Sequence, residues 1–348
     1  MLELSAMLAT AAFANSFLAS PAGAAERFRV RTRKLQINGN PFRVIEQGSG
    51  PAVLFCHGFP DLAETWRSQM RAVAEAGYHA IALDMRGYGD SYAPEEVELY
   101  NGLLIVGDLV GVLDALAISS ATIVGHDWGA DSALRAAVMR PDRFHSLVSL
   151  SIPFAPRGDI SGFDQLRAAG LGDRYYVFDM MKPDAESRFA SAAKAIPSIY
   201  YWLSASPSPN AGWSVDDPAR HMLRPSPVTV PSWADETYVR QAIETFQRTG
   251  FRGGLNYYRA AQPTFDLTAG LKGQTIRQPS LYLYGARDGL NATFHPTPAR
   301  LEQMQTVWPG LTKVVRLEAA GHWVQHEAAE QVNAELINFL KEHARKNS

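Results

Sequence analysis

Ten residues, 121–130 (ATIVGHDWGA), concentrate more potential chemistry than any other stretch of the 348-residue chain. An apolar run leads into Gly125-His126-Asp127-Trp128-Gly129, and a helical pattern follows. This is the Gly-x-nucleophile-x-Gly turn, whose glycines let a strand bend sharply into a helix and present the middle side chain. The middle residue is an aspartate. A carboxylate can displace a leaving group from a saturated carbon and form an ester, which water then cuts at its carbonyl. A serine would be left as an ether with no such exit. The helix N-terminus favours the ionised carboxylate. An aspartate so placed can also be a plain helix cap, and the argument for chemistry is the company it keeps.

That company starts with His57-Gly58-Phe59-Pro60, directly after the apolar run 52–56 (AVLFC). A backbone N–H in such a loop, together with that of the residue after the nucleophile, forms an oxyanion hole. The predicted donors are the amides of Phe59 and Trp128. Towards the C-terminus, Tyr284-Gly285-Ala286-Arg287-Asp288 and Ala319-Ala320-Gly321-His322-Trp323 set Asp288 and His322 at the ends of two further strands. The order nucleophile, acid, histidine is the one hydrolases with this turn use. No carboxylate directly follows the strand at 147–152 (LVSLSI), so Asp288 is the better acid. A histidine oriented by a carboxylate is a base that can activate water.

Side chains delivered by several strand ends require a sheet beneath them. Residues 28–36 and 42–47 read as paired strands about Asn38-Gly39-Asn40-Pro41. Runs at 52–56, 79–83, 121–124 and 147–152 are continuously apolar, as expected of parallel strands with helices over both faces. Amphipathic stretches at 63–75, 103–116 and 130–139 lie between them, which argues an α/β class with a doubly wound sheet. The rhythm stops at Pro153. Residues 154–271 are rich in tyrosine and tryptophan, show helical patterns such as 235–249 and a loop at 204–213, and offer no convincing strand. Strand, helix, strand, helix then resume at 279–284, 299–307, 313–317 and 327–343. The predicted organisation is a leader (1–25), a first α/β part (26–153), a helical insertion (154–271) and a second α/β part (272–348).

Composition removes several classes. Hydrophobic residues make up 46% and charged residues 20%, enough apolar mass for a large core, which excludes a disordered chain. Basic and acidic residues nearly cancel (33 against 35) and no long basic run occurs, so nothing suits nucleic acid. A single cysteine, Cys56, rules out an internal disulfide and a cysteine-based zinc cage. No Walker, HExxH or Rossmann fingerprint is present, so no metal or cofactor is expected. Residues 4–25 are uncharged, mildly apolar and end in small residues, resembling a secretory signal cleaved after Ala24 or Ala25, which points to export or the periplasm. Glu3 and the lack of a leading Lys or Arg fit a cytoplasmic chain with a simple leader instead. Asn15, Ser16 and Pro21 weaken this stretch as a membrane anchor, and no later run is long enough to span.

Together HGFP, Asp84-Met85-Arg86-Gly87-Tyr88-Gly89-Asp90-Ser91, GHDWGA, GARD and GHW resemble the epoxide hydrolase branch of the α/β-hydrolase fold, from about Phe28 onward. The resemblance implies a helical lid over the sheet. It also implies hydrolysis of a small apolar epoxide to a vicinal diol, with water as the only other reactant and no cofactor. It adds two lid tyrosines that activate the ring oxygen. Asn256-Tyr257-Tyr258-Arg259 matches the family motif at Tyr258. GDRYYVFDMMKPDAES matches best at Tyr176, with Tyr175 one register away, and Met180-Met181 stands where the family has an aromatic-Gln pair. Phe59, Pro60 and Trp128 would contact substrate. A haloalkane dehalogenase shares the aspartate turn but needs side-chain N–H donors for halide, and Phe59 has none. A catalytically idle binding protein on this fold is a third reading, although a pure binder has no need of a base paired with an orienting acid.

Overall fold

The computed structural model describes residues 29–172, 174–294 and 297–343. The leader at 1–25 lies outside the described residues. Strands β1 (Arg31–Ile37) and β2 (Asn40–Gly48) form an antiparallel hairpin. Its turn residues Asn38 (φ 52°) and Gly39 (φ 81°) are both left-handed, as a two-residue hairpin requires. The remaining strands are β3 (Ala52–Cys56), β4 (His79–Leu83), β5 (Ala121–His126), β6 (Phe144–Leu150), β7 (Ser280–Gly285) and β8 (Leu311–Leu317). They make one sheet in the order β1-β2-β4-β3-β5-β6-β7-β8, antiparallel on both sides of β2 and parallel from β4 to β8.

Every residue of β3, β5, β6 and β7 is buried, which is why their sequences are mainly apolar instead of alternating, with a few buried polar residues such as Thr122, Ser146 and Ser149. Alternate side chains feed two cores, one on each face of the sheet. Leu54, Ile81, Ile123 and Leu147 enter one; Val53, Ala80, Val124 and Val148 enter the other. The crossover helices Arg67–Glu75, Gly102–Ala115, Trp128–Met139 and Pro298–Val307 and the final helix Ala329–His343 fall close to the amphipathic stretches. Two differ in detail. A 3-10 turn, Ala63–Trp66, precedes the helix Arg67–Glu75, and the last helical stretch is split at Ala328 (φ −129°, ψ 39°) from the short helix Val324–Glu327.

Between β6 and β7 the described residues hold helices and no strand: Gly162–Ala168, Tyr176–Met181, Ala192–Leu203, Glu236–Thr249, Arg252–Arg259 and Ala261–Leu267. Except for Ala261–Leu267, their apolar residues join the first core or pack against it, and Tyr176, Leu203 and Tyr258 meet Phe59, Asp127 and His322 from the loops after β3, β5 and β8. Among the described residues no helix is long and apolar enough to cross a membrane.

Candidate active site

The loops leaving β3, β5, β7 and β8 converge on one carboxylate. Asp127 stands at the end of β5 with φ 54° and ψ −124°, a strained conformation for a residue with a side chain. Close packing on both sides holds it there. A Cβ on Gly129 would come 2.1 Å from the Cys56 carbonyl oxygen, and one on Gly58 would come 2.4 Å from the Cβ of Asp127 itself. The side chain does not cap its helix. Instead the Phe59 N–H donates to Oδ1 at 2.8 Å, and the Trp128 N–H also holds the carboxylate. Both predicted oxyanion donors therefore face Asp127.

The loop carrying Phe59 is itself fixed by His57. The Met85 N–H donates to Nε2 at 3.0 Å, so the proton sits on Nδ1, which reaches the Gly58 carbonyl at 2.9 Å. Burial pushes this imidazole down to about 4, keeping it neutral. Pro60 follows, its carbonyl accepting from the Tyr200 hydroxyl at 3.4 Å. The next residue, Asp61, is buried, and burial pushes its carboxyl up to about 8; it accepts hydrogen bonds from Tyr238 and Tyr200.

His322 is poised between two acids. Its Nδ1 lies 2.9 Å from Asp288 Oδ2, and its Nε2 lies 3.7 Å from Asp127 Oδ2. Asp288 is steadied by the Leu290 N–H, which donates to Oδ1 at 2.9 Å. Burial pulls the His322 pKa down, but Asp288, by charge and hydrogen bond, and Asp127 together outweigh it and leave it raised. Burial raises the Asp127 carboxyl, against the opposing pull of His322 and the two amides.

Opposite this pair stand the tyrosines. Tyr176 and Tyr258 line the same cleft as Asp127 and His322, with Phe59, Ile199, Leu203, Trp213, Met222 and Leu290. Their rings meet edge to face, 6.1 Å between centres, and Tyr258 also packs on Trp128 at 4.9 Å. Burial first, and Asp127 among nearby groups, push both phenols well above 10, so both stay protonated. Tyr175 does not line this cleft; its hydroxyl lies 2.6 Å from Thr293 Oγ1. Of the three residues read as substrate contacts, Phe59 lines the cleft, and Pro60 and Trp128 are not among its lining residues.

The free space at Asp127 is about 10 Å³, room for roughly one water. A larger hollow of about 450 Å³, bordered by Tyr100, Glu186 and Arg252, contains none of these groups. Among the described residues no cluster of His, Cys, Asp and Glu could hold a metal ion.

Several positioning groups are not singled out in the sequence, although His126 lies within the turn motif itself. His126 Nε2 (2.8 Å) and Ser151 Oγ (3.1 Å) both donate to the His322 carbonyl, and the His322 N–H donates to Leu203 in the insertion at 2.9 Å. The apolar cleft residues of the insertion are equally silent, because one buried Leu or Met in a sequence looks like another.

The chain matches the alpha/beta hydrolase fold family over residues 51–329. It is 51% identical to an epoxide hydrolase of Caballeronia sordidicola, covering 90% of this chain and 94% of that one. It is 36% identical to epoxide hydrolase 1 of Siraitia grosvenorii, covering 90% and 99%. The crystal structure of epoxide hydrolase A from Mycobacterium thermoresistibile superposes with a TM-score of 0.82 at 36% identity, over 90% of this chain and 98% of that one.

Proposed function

This chain belongs to the epoxide hydrolases of the alpha/beta hydrolase fold, and from that membership we propose that it opens its epoxide through an ester on Asp127. The enzyme is a hydrolase acting on the ether bond of an epoxide. The observation that carries the mechanism is the arrangement of groups about one small cleft. A carboxylate faces two protonated phenols on one side and an acid-paired imidazole on the other.

The two oxygens of Asp127 have different surroundings. Oδ1 is held by the Phe59 amide, so Oδ2 is free to attack an epoxide carbon. The ring C–O bond breaks as the new C–O bond forms, and Tyr176 or Tyr258 gives its proton to the departing oxygen. The helical insertion acts as the lid that carries those phenols. The product of this step is a hydroxyalkyl ester of Asp127. His322, oriented by Asp288, then takes a proton from water, which attacks the ester carbonyl. Charge builds on Oδ1, which already accepts from the Phe59 amide, with the Trp128 amide beside the same carboxylate, and such a donor is typically worth about 10²–10³ in rate. The tetrahedral centre collapses, His322 returns its proton to the diol oxygen as it leaves, and the second water proton passes to the phenolate left by the first step, so that Asp127 is a carboxylate and the tyrosine a phenol again.

A halide leaving group is less well served, since Phe59 has no side-chain donor and Trp128 is engaged with Tyr258. The apolar and aromatic lining suits a bulky apolar substituent.

One experiment tests the ester. His322→Gln with styrene oxide should retain one substrate mass on the Asp127 peptide while turnover falls by about 10³-fold or more. In the wild-type enzyme, a single turnover in ¹⁸O-water should label Asp127 and leave the diol unlabelled. Label appearing in the diol alone would overturn the proposal, and bromide release from 1-bromobutane without any diol from styrene oxide would overturn the substrate class.

A further inference from the structure

His322 is held by more than its acid partner. Glu327, five residues on, turns its carboxylate back under the loop. Oε1 accepts from the Trp323 N–H at 3.0 Å, and Oε2 accepts from the Gly321 N–H at 3.1 Å. These are the amides on either side of His322. Oε2 also accepts from the Ala205 N–H at 2.6 Å, which belongs to the insertion. Three backbone donors from two parts of the chain thus share one carboxylate.

The contact is built for close approach. A Cβ on Gly321 would lie 2.5 Å from the Ser204 carbonyl carbon and 2.6 Å from the Ala205 nitrogen. From the other side Arg287, next to Asp288, donates to the carbonyls of Ala205 and Pro207. The start of the loop after helix Ala192–Leu203 is therefore clasped by both the acid loop and the histidine loop.

We infer that Glu327 is a positioning residue for the second half of the reaction, holding the His322 loop in register with the insertion so that Nε2 meets the water that cuts the ester. The inference rests on the two-step reading above. Alkylation needs Asp127 and the tyrosines but no proton transfer to His322; ester cleavage needs the imidazole placed closely. Misplacement of a catalytic group by about 1 Å can cost about 10²-fold. Charge acts in the same direction as geometry. His322 faces Asp127 and Asp288 from their strand ends, His126 with 4.6 Å between ring centres, and Glu327 from its own loop. Glu327 adds to the upward pull on the imidazole; its own carboxyl is raised by burial to about 6, and the adjacent His326 is pushed down to about 4 by burial.

The test separates the two steps by rapid quench and protein mass spectrometry with styrene oxide. For Glu327→Gln, ester formation should stay within about 2-fold of wild type while ester cleavage slows by about 10- to 100-fold. The acid limb of cleavage should move to lower pH, because an anion that favours imidazolium has gone. Glu327→Asp keeps the charge but draws it back, so it should slow cleavage with the limb retained, and it serves as the test variant if Glu327→Gln does not fold. Cleavage at the wild-type rate, or both steps slowed by one factor, would overturn the inference. Failure of His322→Gln to retain an ester would instead remove the two-step reading itself.

Discussion

In the mechanism proposed above, Asp127 and its two tyrosines divide the chemistry at the level of single atoms. A phenol whose pKa is pushed well above 10 is a poor source of phenolate but a steady hydrogen-bond donor, so both tyrosines remain armed across the neutral range. Proton donation of this kind is typically worth about 10²–10⁴. Tyr176→Phe and Tyr258→Phe should each slow ester formation by about 10- to 100-fold, the double variant by more, and leave cleavage of a preformed ester nearly unchanged. Single-turnover kinetics on the three variants check this; a single variant with unaltered ester formation would remove that tyrosine from the step. The pH dependence has a definite sign. In the proposed mechanism His322 acts as a base when neutral, and its pKa is raised, so cleavage should fall as pH drops through that value. In the ester, however, Asp127 has lost its charge, and with it part of the upward pull. The acid limb of cleavage should therefore lie below the His322 titration midpoint seen by NMR in the free enzyme. Coincidence of the two, or the reverse order, would contradict this assignment of charges.

At the scale of elements, the turn after β5 was legible because its demands are local: glycines where backbones nearly touch, an aspartate between them, a buried strand before and a helix after. The buried strands were legible for a similar reason, their apolar runs following from two covered faces. The choice between Tyr175 and Tyr176 was not, since one precedes the helix Tyr176–Met181 and the other begins it, and only packing against Trp213 and Tyr258 decides which enters the cleft. The motif Asp84–Ser91 is as easily recognised, and its contacts tie elements together. Asp84 accepts from the Ala63 N–H at 3.0 Å and pairs with Arg43, while Ser91 Oγ donates to the Asp84 carbonyl at 2.6 Å. Arg86 makes a two-pronged pair with buried Asp108, 2.7 Å on each arm, tying the loop after β4 to the helix Gly102–Ala115. The Arg86 carbonyl accepts from Tyr257 of the insertion at 3.0 Å. Removing one partner of such a pair strands the other charge, at a cost of about 3–5 kcal/mol. Asp108→Ala should lose stability of that order in denaturant unfolding, whereas an exposed pair such as Arg140–Asp142 should matter by about 1 kcal/mol or less. Equal losses from the two would contradict the distinction.

For the whole molecule, the question is whether the insertion behaves as a separate body. Its apolar residues Ile196, Tyr200, Phe246 and Leu255 belong to the same continuous core as Leu54, Ile81, Ile123 and Leu147 of the sheet. Polar links cross the boundary as well: the Gly102 N–H donates to Thr264 Oγ1 at 2.9 Å, Arg248 pairs with Asp90 at 2.7 Å, and Arg252 pairs with Glu95 at 2.9 Å. The two ion pairs are solvent-exposed and contribute about 0–1 kcal/mol each, so shared apolar burial is the term that couples the parts. Elements that share a core unfold together, because exposing one side removes what stabilises the other. Calorimetry should therefore show one transition with calorimetric and van't Hoff enthalpies in agreement, and about 0.5 M salt should move the midpoint only slightly. Two resolved transitions, with the tyrosines exposed in the first, would mean that the insertion folds on its own core.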